Sequence, residues 1–166
     1  MKAPSTNLTF SYDGDHRYYG NAWQAAKNWT DLNTGITIRS GSGDTYIIFK
    51  DIYIKDDEGY YAHTGIPATS EWLGPLNKPP KNPHVPEYIV IDVNQYWMDK
   101  LDDFHRTLVL AHEIGHTLGL AHTDACGVAD KSLERSGGAD VPKRKFNAPQ
   151  YYDRIALEQL YGLPIH

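Results

Sequence analysis

Three histidines and a glutamate, His112, Glu113, His116 and His122, stand close enough in the chain to share one metal ion. Residues four apart on a helix lie on one face about one turn from each other, so His112 and His116 can both direct an imidazole nitrogen at the same point. A third ligand on that helix would not close a tetrahedral site easily, and the backbone must turn sharply before His122. Gly119 suits the turn, because without a Cβ it enters left-handed conformations at little steric cost. Three neutral imidazoles leave the fourth position of a zinc ion to water, the arrangement of a catalytic rather than a structural site. Glu113 follows His112 directly, projects beside the metal-facing stripe and can take that water's proton as general base. A lone His-Glu-x-x-His pattern also occurs on ordinary amphipathic helices. The addition of Gly119 and His122, after the apolar run from Leu108 to Ala111, favours the metal reading.

A helix must carry the first two ligands. Phe104, Leu108, Ala111, Ile114 and Leu118 predict an apolar stripe on the side away from His112 and His116, with Asp99 or Asp102 as the N-cap. Nearer the N-terminus, Leu8, Phe10 and Tyr12 alternate with polar residues, as in a strand with one buried face. Residues 19–32 place Ala22, Ala25, Ala26 and Trp29 at helical intervals. Residues 45–54 and 60–64 predict further strands, the latter following the turn-forming stretch 56–59. Residues 88–93 are apolar except for Asp92 and predict an interior strand. Prolines crowd residues 65–87, Pro79, Pro80 and Pro83 among them, which predicts a surface excursion or flap without regular structure. Asn147 and Pro149 announce a final helix with Ile155, Leu157 and Leu160 as its apolar contacts.

At 166 residues with 40% hydrophobic content, the chain suits one compact domain over residues 1–166. Its 16 basic and 21 acidic residues give a net charge of -5, which favours neither nucleic acid nor anionic membranes as partners. No apolar run reaches the roughly 18 residues of a membrane span, and the polar start at residues 1–6 does not read as a signal peptide. The lone Cys126 cannot form an internal disulfide.

The segment from His112 to His122 resembles the zinc motif of the metzincin peptidases, and its surroundings are most similar to the matrixin branch and small bacterial secreted enzymes near it. Residues 22–29 resemble the first helix of such catalytic domains, residues 35–38 the strand that follows it, residues 59–64 the edge strand above the cleft, and residues 159–162 the end of the last helix. The resemblance implies an α+β fold: a twisted, mostly parallel sheet with an antiparallel edge strand, a zinc-binding active-site helix and a C-terminal helix. It also implies a methionine in a tight turn beneath the metal, yet Met1 and Met98 both lie upstream of the motif. Cys126 and Leu133 are the apolar candidates to replace it, and residues 132–138 form a plausible turn.

What the resemblance implies about function is a monomeric, secreted zinc endopeptidase acting on protein or peptide. An extended substrate would pair with Tyr60, Tyr61, Ala62, His63 and Thr64 through main-chain hydrogen bonds. Glu113 would deprotonate a metal-activated water and pass the proton to the leaving amine. Relatives place a second, structural zinc near His63, but residues 89–93 offer no partner histidine, so one zinc is expected. Calcium at Asp51, Asp56, Asp57 and Glu58 is not supported, because their spacing matches no recognisable loop. His105, about two turns from the metal, is expected to play a surface or supporting role. Lys131, Arg135, Lys143, Arg144 and Lys145 could line a cationic pocket rim, though a solvated charge run is the simpler reading. The competing functions are a non-catalytic, zinc-stabilised peptide-binding module and a narrow-specificity peptidase or cell-wall amidase.

Overall fold

The computed structural model of the chain describes residues 3–41, 45–55, 60–65, 88–123, 131–135 and 138–163. The acidic stretch 56–59, the proline-rich stretch 66–87 and Cys126 lie outside these residues. Five strands form one sheet: β1 (Asn7–Asp13), β2 (Thr37–Ser40), β3 (Ile47–Ile52), β4 (Ala62–Gly65) and β5 (Ile89–Asn94), in the order β2-β1-β3-β5-β4. β1 pairs in parallel with β2 and β3, and β3 in parallel with β5. β4 runs antiparallel at the edge, with Ala62 opposite Val93 and Thr64 opposite Ile91. The architecture is the α+β sheet with an antiparallel edge strand that the resemblance implied.

Strand patterning explains which face is buried. Leu8, Phe10 and Tyr12 of β1, Ile47 and Phe49 of β3, and Ile89, Ile91 and Val93 of β5 are buried, while the residues between them are more exposed. β5 is interior by its neighbours, yet Val90 and Asp92 on its other face stay partly exposed, so an apolar run does not guarantee burial on both faces.

Helix α1 (Tyr19–Thr30) buries Ala22, Ala25, Ala26 and Trp29 as its spacing predicts. The small alanines permit close approach, and the Trp29 indole N–H donates to the Ala111 carbonyl at 2.8 Å, tying α1 to the ligand-bearing helix. Truncating such a buried indole costs about 3–5 kcal/mol. A single helical turn, α2 (Gln95–Met98), was not foreseen; it buries Met98 and precedes α3 (Asp103–Thr117).

Asp102, not Asp99, caps α3, its side chain accepting from the His105 N–H at 2.9 Å. Asp99 instead accepts from the Tyr18 hydroxyl at 2.6 Å. The apolar stripe is only partly as predicted. Leu108, Ala111, Ile114 and Leu118 are buried, but Phe104 is 37% exposed, and Thr107, Val109, Leu110, Gly115 and Thr117 are buried as well. The helix is enclosed round most of its circumference because α1, β4 and a 3-10 turn (Gly138–Lys143) all pack against it.

Helix α4 (Tyr151–Tyr161) starts just after Pro149, with Gln150 and Asp153 forming a reciprocal capping box. Leu157 is buried as expected, whereas Leu160 is 37% exposed. The inward positions are taken by Asp153 and Glu158.

Candidate metal centre

Helix α3 presents His112 and His116 one turn apart, and the chain must then reverse to bring up a third ligand. The reversal occurs at Gly119, whose φ of 97° lies in the left-handed region that residues with a Cβ disfavour. The Gly119 N–H bonds back to the His116 carbonyl and the Leu120 N–H to the Gly115 carbonyl, each at 3.0 Å, so the end of the helix is closed as it turns. His122 then lies with its Nε2 3.1 Å from the Nε2 atoms of both His112 and His116, which are themselves 3.1 Å apart.

Two backbone carbonyls orient these rings. His112 Nδ1 donates to the Leu133 carbonyl and His116 Nδ1 to the Leu120 carbonyl, both at 2.9 Å. With the proton held on Nδ1, each Nε2 offers a lone pair, and lone pairs converge on one point. Burial pushes the His112 imidazole down to about 3 and the His116 imidazole down to about 4, so both are neutral donors near pH 7. A tetrahedral zinc with bonds of about 2.0–2.1 Å would space its nitrogens about 3.3 Å apart, close to what is seen. The residues fit a single zinc: the three histidines are the one cluster of three or more metal-ligating side chains among the described residues.

Glu113 is buried beside them. Burial raises its carboxyl to about 7, an effect opposed by the Thr64 hydroxyl, which lies 2.6 Å from Oε2 and 3.0 Å from the Glu113 carbonyl. Thr64 belongs to β4, so this contact brings the edge strand against the metal helix. Among the five predicted substrate-contact residues, Thr64 hydrogen-bonds Glu113. Ala62 is buried against the sheet, the His63 ring packs on Tyr60 at 5.4 Å, and Tyr61 lies edge-on to Trp97 at 6.4 Å. His105 sits apart, its Nδ1 2.6 Å from the Asp102 carboxylate at the start of the helix.

Beneath the ligands lies a turn anchored from α4. Ser132 Oγ donates to Asp153 Oδ1 at 2.5 Å and the Leu133 N–H to Oδ2 at 2.8 Å, which sets the Leu133 carbonyl under His112. Arg144 also donates to that carbonyl at 3.2 Å, and Arg144 to the Arg135 carbonyl at 2.7 Å, so this basic residue is engaged with the turn rather than with solvent alone. A turn was anticipated at residues 132–138, of which 136 and 137 lie outside the described residues. The carboxyl under the ligands was not anticipated: Leu133 is buried, and Glu134 next to it lies against His112 and His116. Its position two residues after Ser132, inside the anticipated turn, was the available signal, and an acidic residue did not suggest a buried apolar role. Asp51, considered for calcium, accepts instead from the Tyr12 hydroxyl at 2.7 Å and the Asp15 N–H at 2.9 Å.

Comparison with known proteins agrees with this geometry. The family profile described as matrixin matches residues 11–162. Interstitial collagenase B of Mus musculus is 32% identical across 61% of this chain, and the match spans 20% of the collagenase's own length.

Proposed function

The chain belongs to the matrixin family of zinc-dependent hydrolases, and from that premise we propose that it is an endopeptidase cleaving extended polypeptides at the His112, His116 and His122 centre. The observation that carries this reading is the convergence of three imidazole nitrogens, with the Glu113 side chain buried one residue after His112. Zinc bound there supplies positive charge that acidifies water and polarises a carbonyl. Glu113, ionised, accepts a proton from the attacking water and returns it to the leaving amine as that nitrogen becomes basic. The Thr64 hydroxyl, 2.6 Å from Oε2, would hold the Glu113 side chain in place through both transfers. The outer edge of β4, with Tyr60, Tyr61, Ala62, His63 and Thr64, offers main-chain groups along which a substrate strand would align. The domain would act as a single unit, outside the cell, on protein or peptide. Among the described residues no helix is long and apolar enough to cross a membrane.

The test is Glu113→Ala assayed on a peptide library by mass spectrometry. Zinc should remain at one per chain while cleavage falls by about 10²–10⁴-fold, the usual contribution of a general base. Cleavage at the wild-type rate removes Glu113 from the mechanism. The charged residue beneath the ligands favours one competitor, a zinc-stabilised binding module. That reading predicts peptide affinity with no cleaved product from the wild type itself.

A further inference from the structure

Glu134 is 2% exposed and its carboxylate is slotted against the backbone of α3. A Cβ on residue 115 would stand 1.9 Å from Glu134 Oε1 and 3.0 Å from the Trp29 ring, so Gly115 is what leaves the slot open. Oε2 lies 3.3 Å from His116 Nδ1 and 3.7 Å from His112 Nδ1. Those ring N–H groups are already directed at the Leu120 and Leu133 carbonyls, and neither Glu134 oxygen has a hydrogen-bond partner among the described residues. The charged groups that act on it are Asp153, Glu113 and Arg144, two carboxylates against one guanidinium. A carboxyl buried without hydrogen bonds in such surroundings works against folding, and removing it should improve the fold unless a further positive charge enters the site.

We propose that Glu134 is a positioning residue for the metal, its carboxylate lying behind His112 and His116 to offset, through the two imidazoles, the charge of a bound zinc. The inference rests on the reading of the three histidines as a zinc site. Where the family resemblance implies a methionine beneath the ligands, which no proton can leave, this chain carries an ionisable carboxyl group. An anion one imidazole away from a divalent ion increases ligand basicity and strengthens binding, and such outer partners change metal affinity by about 10–100-fold.

Zinc dissociation constants of the wild-type chain, Glu134→Gln and Glu134→Met, measured by competition with a fluorescent chelator at one pH, test this alongside melting of each chain in excess chelator. Both variants should bind zinc about 10–100-fold more weakly. In the metal-free state Glu134→Met should melt higher than wild type. Opposite movement of the two readouts separates this role from a packing role, which would lower both. Zinc affinities within about twofold of wild type overturn the proposal, as does metal-free stability that falls in parallel with affinity or is lost in both variants. A wild-type chain that binds no zinc overturns the functional reading as well, whereas unchanged affinity in the variants leaves that reading standing.

Discussion

Glu113 and its histidine neighbours respond to burial in opposite senses, and the signs yield a pH prediction for the metal-free protein. The Glu113 carboxyl is raised from 4.5 to about 7, so its contribution to stability is complete below 4.5 and is lost as pH rises through 7. His112 and His116 are lowered from 6.5 to about 3 and about 4, so theirs is complete above 6.5 and is lost as pH falls through those values. In excess chelator above pH 7, Glu113→Gln should therefore be more stable than wild type by up to about 3 kcal/mol, the free-energy equivalent of the carboxyl's shift. Thermal melts at pH 5 and pH 8 check this: the gap should open only at the higher value, and equal gaps at both would mean that the carboxyl bears no burial cost. Acidification should also release zinc, because the ligands bind only as neutral imidazoles.

Elements meet at the metal through two glycines with different tasks. Gly119 provides the left-handed turn after α3, whereas Gly115 provides room for the carboxylate beneath it. Gly115→Ala should displace the Glu134 side chain and press on Trp29, destabilising the chain by about 1–3 kcal/mol, the usual range for overpacking. Shortening the displaced chain should restore part of that loss, so a double-mutant cycle with Glu134→Ser, read by chemical denaturation, should show a positive coupling. Strict additivity would mean that the two positions do not share the slot. The helix itself was legible from His112, His116 and Asp102. Its enclosure on nearly every side was not, because the stripe of Leu108, Ala111, Ile114 and Leu118 marks one buried face and says nothing of β4 and residues 138–143 closing the others.

Across the whole molecule, the metal site depends on α4, which supplies no ligand. Asp153 accepts from Ser132 Oγ, from the Leu133 N–H and from the Gln150 N–H, joining the helix start to the turn under His112. Asp153→Ala should destabilise the fold by about 2–4 kcal/mol, since it leaves buried donors unpaired, and should weaken zinc binding through the freed Leu133 carbonyl. Calorimetry with and without zinc checks both effects; unaltered zinc affinity would uncouple the turn from the site. The family resemblance implied the mostly parallel sheet and its antiparallel edge strand, whereas residue patterns in the chain were enough to identify the helix-borne ligands and the alternating strands. These rest on local spacing, where residue type and backbone period act within a few positions. Only the tertiary structure decided that Thr64 reaches Glu113 and that the Glu134 carboxyl lies against His112 and His116. Such contacts join residues far apart in sequence, and no periodicity encodes which side chain a closed turn will press beneath a helix.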